Sequence, residues 1–547
     1  MEIDLEKAFL TELESLEKFR MSYAGMYPSV PLAREDPDIR RLLEAMAFFT
    51  ARTRLASERN VDGSLTRILR QHFPYLLSPV PAMVMLRAGV TRRYVDVSEL
   101  PRGSEVSLVA PATLETPERV YRFKTLAPLR ILPIAIDGLD TIRAGSQGFR
   151  ITVRFSSQFP RNDAIGDLDL HVDYLNDLQS SLVAMHELRT HIKSVSVVYS
   201  HTVDETTQGT PCSVEFGPRP AEPHQLEAFE HPLQRTRSSL HFPQQELYIR
   251  VKGVRPPRNW QQFTVCFDLD DGWPANLRLN AECFQLHVVP MVNICRDSAS
   301  PIECDGTQAQ YVVQHPERSD HFVPLSVHGV YKTTPGGLVP LEPATLGTDR
   351  ESFEALVEGK SEHRRAHVML NIPTAFESPE SIVVDAFWHQ PDVSARRASD
   401  LKVRLSERFV EGIEWRGFGP LVAHADVELD DDREALLQLL SIKAQRLLGL
   451  DELRFLLRAL GVHRERAFAK FVKQLATVAI IDKPHSRAAS GFKHVYELVF
   501  DDLTPSDVPR LDLFCSKLLI ALAAWSSDEV IELIARVPNL DKLLRYT

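Results

Sequence analysis

Apolar and polar positions divide the chain into three regions with different spacing. Apolar residues recur every three or four positions in residues 1 to about 85, and alternate with polar ones in short runs from about 90 to 399. Helical spacing then returns from about residue 400. The first spacing is that of an amphipathic helix and the second that of a half-buried strand. The fold class is therefore predicted to be α+β multidomain, with a helical N-terminal arm, β-rich central domains and an α+β C-terminal domain.

The N-terminal region is predicted to hold three helices. The stripe of the first helix is Leu5, Phe9, Leu13, Leu16 and Tyr23. A second helix should begin at Asp36, a good N-cap, with Pro37 in the first helical position, and a short third one spans about Leu65 to Phe73. Three amphipathic helices in so short a stretch need a partner. The residues predicted to form that interface are Phe9, Leu13, Leu16, Phe48 and Phe49.

The central region is predicted to be strands with one inserted helix near Asn176 to His191. Its β-rich runs are TRRYVDVSEL, FRITVRF, SVSVVYS, ELYIRVKGV, FTVCFDLDD, FQLHVVPMVNIC, AHVMLNI and SIVVDAFW. Residues 201–242 are rich in Pro, Thr, Ser and Gln and have little periodicity, which predicts a long loop between two β units.

The C-terminal region combines helical stripes with strands. One stripe begins at Leu436 and another at Leu511, and strands are predicted at Val478–Ile481 and His494–Asp501 between them. The predicted domains are a helical arm 1–87, a β-rich domain 88–200, a loop-rich connection 201–242, a second β-rich domain 243–400 and an α+β domain 401–547.

The segment from Phe284 to Ile302, FQLHVVPMVNICRDSASPI, joins an apolar strand to an irregular polar turn. Alternation puts Phe284, Leu286 and Val288 on one face, and Pro290 removes a ladder donor, so pairing should be interrupted or at an edge there. Asn293 is expected to bond the backbone of the turn that follows. Pro290, Asn293 and Pro301 are thus predicted to form a structural hinge between two β units.

Composition narrows the class of protein. A chain of 547 residues exceeds the size of a single core, and 44% hydrophobic and 25% charged residues are typical of a soluble protein. A net charge of −11 argues against nucleic acid as the main partner. The six cysteines form no C-x-x-C pair, and the N-terminus resembles no secretion signal, so we expect a reducing cytoplasm. No apolar run reaches the roughly 18 residues of a spanning helix, so direct membrane insertion is not expected.

Two motifs come close to catalytic signatures and fail. In HELRTH the two histidines, His186 and His191, are five residues apart and about 140° round the helix, whereas a zinc pair needs i and i+4. A solvated helix end is the favoured interpretation. AGSQG around Ser146 lacks the first glycine of a nucleophile elbow and precedes a strand, which favours a hairpin turn.

No metal, nucleotide or calcium site is predicted. Cys283, Cys295 and Cys304 with His287 lack zinc spacing, and free buried thiols are expected instead. The run Asp430 to Asp432 precedes a helix, where carboxylates favour the positive end of the helix dipole. Phosphate-loop, dinucleotide and EF-hand spacings are absent from the sequence. The expectation is a non-enzymatic protein without cofactor.

The chain resembles a known family in two distant segments. The strand–turn segment resembles an FQLHCTPxVNLF strand and PI dipeptide of the TssF family, also called VasA or ImpG, which are type VI secretion baseplate wedge proteins. The matching residues are Phe284, Gln285, Leu286, His287, Pro290, Val292, Asn293, Pro301 and Ile302. EDPDIRRLLEAMAFFTARTRL and LRQHFPYLLSPVPAM resemble the family's N-terminal helix and its exit. With weaker matches between them, the resemblance runs from about Leu5 to about Tyr331 and becomes poor beyond.

The resemblance implies a structural, cytoplasmic wedge subunit that is recruited to the inner membrane through the secretion machinery. The implied partners are a TssG-like subunit, a second TssF copy, TssK, TssE and the VgrG spike hub. A baseplate subunit of a contractile phage tail or related particle is the closest alternative, because it shares the architecture. A β-sandwich hydrolase is the alternative from another class, and it should show converging carboxylates or a nucleophile motif, which the sequence lacks.

Overall fold

The structure is a computed structural model that divides into two compact units. One comprises residues 1–74 and 429–441, and the other residues 75–428 and 442–547. The residues described are 2–26, 37–112, 117–143, 148–219, 231–308, 310–317, 321–344, 351–360, 363–405, 411–429, 432–465, 467–486, 491–526 and 529–547.

The described part of the chain contains both long helices and many strands. The α-helices are α1 Glu2–Met26, α2 Pro37–His72, α3 Leu178–His191, α4 Pro232–His241, α5 Arg433–Lys443, α6 Leu450–Ala459, α7 Ala469–Gln474 and α8 Val508–Ser526. The strands of the first half are β1 Met83–Val90, β2 Ser98–Leu100, β3 Glu105–Ala110, β4 Arg119–Thr125, β5 Leu129–Ile131, β6 Ala135–Arg143, β7 Phe149–Arg161, β8 Gly166–Val172, β9 Ile192–Val198, β10 Thr210–Phe216, β11 Tyr248–Val254 and β12 Trp260–Leu269.

The strands of the second half follow in chain order and belong to five of the six sheets described below. They are β13 Phe284–Gln285, β14 Val288–Val292, β15 Cys295–Ser298, β16 Ile302–Cys304, β17 Tyr311–Val313, β18 Val323–Thr334, β19 Gly337–Pro340, β20 Glu342–Pro343, β21 Ser352–Glu358, β22 Arg365–Asn371, β23 Glu380–His389, β24 Lys402–Leu405, β25 Ile413–Val422, β26 Leu475–Pro484, β27 Phe492–Phe500, β28 Val530–Val537 and β29 Lys542–Tyr546. The predicted α+β fold class is confirmed.

The helical unit is built on α1 and α2. The two helices lie against each other, and Arg54 of α2 pairs with Glu12 of α1 at 3.0 Å. Helix α2 runs without a break for 36 residues, so the separate third helix predicted near Leu65 is wrong. Pro37 is its first residue, as predicted, while the expected cap Asp36 lies outside the described residues.

Two large antiparallel sheets form the centre of the other unit, residues 75–428 and 442–547, which we call the β unit. The six-stranded sheet has the order β24-β3-β4-β14-β1-β25, and the eight-stranded sheet the order β13-β8-β11-β10-β9-β12-β7-β6. Each sheet packs over its own apolar core, represented by Leu86 and Phe123 in the first and by Phe155 and Phe263 in the second. Burial of such side chains is the main source of stability in a β domain.

Four smaller sheets complete the architecture of the described residues. The five-stranded sheet runs β15-β23-β18-β19, with β16 also on β23, and the sheet β17-β22-β21-β20 shares its core. The C-terminal sheet runs β26-β27-β28-β29, and α8 packs against β28 and β29. β27 and β28 are parallel because α8 connects them. A two-stranded sheet pairs β2 with β5.

The sheets cross the contiguous domain limits expected from the sequence. β24 and β25 lie in the 401–547 segment, yet they pair with β3 and β1 of the six-stranded sheet. β1 begins inside the predicted arm 1–87 but belongs to the β unit. The segment 201–242 also differs, because it contains β10 and α4. Strand pairing between distant segments has no local signal, so the division by composition missed it.

Candidate functional site

The segment Phe284–Ser298 passes through three sheets within fifteen residues. β13 is the edge of the eight-stranded sheet, β14 is central in the six-stranded sheet, and β15 is the edge of the five-stranded sheet. Two junctions separate these strands, one at His287 and one at Asn293. We treat this segment as the structural site of the β unit.

His287 forms the first junction in a left-handed backbone conformation, with φ 55°. Its carbonyl accepts the Ala88 N–H at 2.9 Å, and its Nε2 accepts the Leu132 N–H at 3.1 Å. Burial, reinforced by the charge of Arg87, lowers the pKa of His287 to about 4, so the ring is neutral and can accept. The turn ends the predicted alternation: Phe284 lies in the core of the eight-stranded sheet, but Val288 lies in a different apolar cluster.

Asn293 forms the second junction and is buried, with 1% of its surface exposed. Its N–H donates to the Ala82 carbonyl at 2.8 Å, and its Nδ2 donates to the Arg122 carbonyl of β4 at 2.9 Å. Its Oδ1 accepts the backbone N–H of Gln390, next to β23, at 2.6 Å. Asn293 therefore links backbone groups of two sheets, whereas the expected bonds to the following turn are not formed.

Gln390 completes this amide pair. It is fully buried; its Oε1 accepts the Arg122 N–H at 2.7 Å and the Asn293 Nδ2–H at 3.2 Å, and its Nε2 donates to the Val120 carbonyl at 2.8 Å. Each side-chain amide thus replaces backbone partners that β4 and β23 cannot give one another where the sheets diverge.

Arg122 adds charge to the same junction. Its guanidinium pairs with Glu105 of β3 at 2.9 Å and with Asp297 of β15. Burial opposes the charge of Arg122, but these two pairs outweigh it and raise its pKa. The hydrogen bond from His315 and the pair with Arg122 lower the pKa of Asp297 to about 2, against the effect of burial. The pair with Asp297 therefore joins the same two sheets as the amides, while the pair with Glu105 lies within the six-stranded sheet.

The two prolines of the predicted hinge have different surroundings. Pro290 sits in a central strand rather than at an edge: pairing with β1 runs through it opposite Met85. Pairing with β4 is restricted to Met291 and Val292, so the ladder is interrupted on that side only. Pro301 is exposed in the turn after β15, and Ser300 beside it donates to the Gln314 carbonyl at 2.8 Å. A hinge function for these residues stays a prediction.

The predicted interface residues of the helical arm divide into two groups. Phe9, Leu13 and Leu16 share one side of α1 and are half-buried in the unit. Phe48 and Phe49 of α2 are exposed to 40% and 64%. The first three therefore contribute to packing within the arm, and only the last two offer a free surface in the isolated chain.

An exposed apolar stripe lies on α2, and of its three residues only Phe49 is among the interface residues predicted from the sequence. Leu42, Met46 and Phe49 follow i, i+4, i+7 spacing and are exposed to 62%, 49% and 64%. Ala47 and Ala51, about half a turn away, are fully buried. Helix α2 thus has one covered face and one open apolar face, which is the pattern of a helix that packs in a larger bundle. The apolar spacing was visible in the sequence, but not which face the arm itself covers.

The near-miss motifs have structural partners. His186 Nδ1 lies 3.1 Å from Asp512, and His191 Nδ1 lies 2.6 Å from Asp270. The expected solvated helix end is thus wrong, because both rings are paired and partly covered. Ser146 lies outside the described residues, but β6 and β7 on either side of it are antiparallel neighbours and no helix follows.

Within the described ranges, no cluster of three or more His, Cys, Asp or Glu could hold a metal ion. All six cysteines are free, and five are buried. Asp432 accepts the Ala435 N–H at 3.0 Å and so caps α5, as predicted, while Asp430 and Asp431 are outside the described residues. Where the structure is described, no helix is long and apolar enough to cross a membrane.

Comparison with known proteins gives a family and a fold. The family model described as "Type VI secretion system, TssF" matches residues 1–355. No curated protein sequence matches the chain. Among solved structures, a chain of a type VI secretion system TssK-TssF-TssG baseplate subcomplex, determined by cryo-electron microscopy, is similar with TM-score 0.76 and 15% identity, covering 93% of this chain and 98% of that one.

A chain of a second structure, the baseplate complex from the type VI secretion system, is similar with TM-score 0.59 and 14% identity, covering 99% and 98%. At these identities the likeness concerns the fold, including the C-terminal third that the family model does not reach. The family match itself extends over 355 of 547 residues. The chain therefore belongs to the TssF family of type VI secretion system proteins.

Proposed function

We propose that this chain is a structural wedge subunit of a type VI secretion baseplate. The observation that carries the proposal is the family match over residues 1–355 together with a shared fold over 93% of the chain. The matched fold with TM-score 0.76 comes from a TssK-TssF-TssG baseplate subcomplex, so a TssG-like and a TssK-like subunit are the proposed partners. A second TssF copy, TssE and the VgrG hub extend this set through the family resemblance. The family match favours this over a phage tail subunit.

We also propose that the subunit is not an enzyme. The family is a structural component of the secretion machinery. The candidate histidines His186 and His191 are held by carboxylates of other segments, Asp512 and Asp270, which gives them a structural role. Recruitment to the inner membrane would then take place through partner proteins.

The open face of α2 is the proposed contact with the TssG-like partner. Full burial of a Leu, Met or Phe side chain contributes about 1.5 to 3 kcal/mol. Leu42, Met46 and Phe49 are still exposed to between 49% and 64%, so docking should gain roughly 1 kcal/mol from each. The stripe would then contribute a factor of about 100 in affinity.

The test is co-purification and calorimetric binding with the TssG-like partner. Replacing Leu42, Met46 and Phe49 together by serine should weaken binding about 100-fold, and deleting residues 1–60 should abolish it. A matched control replaces Leu338 and Val339, exposed to 55% and 47% on β19, by serine, and binding should be unchanged. If the truncated chain still forms the complex, the α2 contact is wrong.

A further inference from the structure

A cavity of about 710 Å³ opens beside the His287 junction. It is bounded by Arg87 of β1, Phe418 of β25, Phe284 of β13, and Leu175 and Glu282 from neighbouring loops. The volume falls in the range of sites that enclose a ligand or a short peptide segment. All these residues belong to the same β unit.

Arg87, which lines this cavity, has a second arginine as its neighbour on the adjacent strand. Arg87 on β1 is directly opposite Arg416 on β25, and its guanidinium lies 5.9 Å from the centre of the Phe418 ring. Burial, and then the charge of Arg416, lower the pKa of Arg87. Like charges directly across a strand pair are unfavourable. Over the described ranges, neither Arg87 nor Arg416 has an ion pair or a side-chain hydrogen bond.

Other strand arginines of this unit are neutralised by carboxylates. Arg150 pairs with Asp268, Arg250 with Asp169 and Arg296 with Asp385, each at 2.7 Å. The fold therefore compensates a partly covered strand arginine with an acid from an adjacent strand. The pair Arg87 and Arg416 departs from this pattern, which leaves a cationic site with an aromatic floor open to an external anion.

We propose that this cavity receives an extended segment of another baseplate polypeptide, whose Asp or Glu side chain bridges Arg87 and Arg416. The lining also includes Asp173 and Glu282, which would repel a multiply charged phosphate but accept main-chain N–H groups of a peptide. Phe284 and Phe418 offer apolar contact to the flanking residues. This inference rests on the proposed function in one respect: the segment is taken to belong to another subunit of the same baseplate.

The experiment places the photo-cross-linker p-benzoylphenylalanine at Leu175, which lies at the cavity and is 66% exposed. The purified complex of the full chain with its TssG-like and TssK-like partners is irradiated, and cross-linked peptides are identified by mass spectrometry. We expect a cross-link to a partner segment that contains an acidic residue. The double variant Arg87→Glu, Arg416→Glu should reduce its yield at least tenfold, and changing that acid to arginine should restore it.

The matched control is the double variant Arg92→Glu, Arg93→Glu, which changes the same charge on exposed residues away from the cavity and should leave the yield unchanged. If the double variant unfolds, the single variant Arg416→Glu, which changes the exposed arginine of the pair, is used in its place. An equal yield without the cationic pair, or a cross-link only within this chain, overturns the proposal. The proposal is also overturned if the chain co-elutes with its TssG-like and TssK-like partners but gives no cross-link. If the wild-type chain does not co-elute with these partners, the proposed function is overturned as well.

Discussion

The junction at Asn293 predicts a large and specific effect of Asn293→Ala. The substitution removes the acceptor of the buried Gln390 N–H and the donor to the Arg122 carbonyl. A buried polar group left without a partner costs about 1 to 3 kcal/mol, so two such groups should lower the free energy of unfolding by about 2 to 6 kcal/mol. Urea-induced unfolding of the isolated chain, followed by circular dichroism, measures this loss.

A loss of stability does not distinguish a residue that joins two sheets from any other buried residue. A matched variant in the core of one sheet is therefore needed. Ile249→Ala truncates a fully buried side chain within the eight-stranded sheet and should cost a similar 2 to 5 kcal/mol. If Asn293 sets the angle between two sheets, Asn293→Ala should weaken assembly with the TssG-like partner at least tenfold more than Ile249→Ala does. If both variants lose the same stability and show the same assembly defect, Asn293 does not act as a hinge. If Asn293→Ala lowers the free energy of unfolding by less than about 0.5 kcal/mol, the hydrogen bonds of Asn293 do not contribute the stability assigned to them.

Two further predictions concern histidines. Burial lowers the pKa of His171 and His287 to about 4 and that of His389 to about 3, from 6.5. The neutral rings therefore make their full contribution to the free energy of unfolding above pH 6.5. This contribution is lost as pH falls toward 4, by roughly 2 kcal/mol for each histidine at pH 5. Urea midpoints at pH 7.5 and pH 5 should differ accordingly, and His287→Gln should remove about a third of the difference; an unchanged midpoint would contradict this. Replacing His186, His191 and Ser146 together by alanine should leave secretion intact wherever folding and baseplate assembly are retained, and secretion lost from a normally assembled baseplate would reveal chemistry at these residues.

The helices and most strands were predictable from the local spacing of apolar residues. The helix α3, the strand pair β26 and β27, and the long helix α8 follow from apolar periodicity, because each buries one continuous face. β28 was missed, since Val530–Val537 is nearly all buried and shows no alternation. The single helix α2 was divided wrongly, because its polar middle gave no apolar stripe to follow.

The site was only partly predictable, for physical reasons. Asn293 could be identified as a residue with a backbone-like side chain, but its partners Arg122 and Gln390 are 171 and 97 residues away. No local signal specifies such pairs. The turn at His287 was not predicted, because a left-handed conformation is rare for a residue other than glycine, although histidine is among those enriched there. The exposed stripe on α2 needed the structure, since only packing identifies which apolar face is left open.

The physical demands on Phe284–Ser298 explain why this segment carries the most recognisable sequence of the chain. A strand within one sheet has to satisfy one register and one core. This segment pairs with β8, then with β1 and β4, then with β23, and it must change sheet at His287 and at Asn293. A side chain that fits one sheet can fail in the next, so few residue types are acceptable at each position. The first junction borders the cavity of Arg87 and the second joins two sheets, so the same fifteen residues would couple the shape of the subunit to the site proposed for its partner.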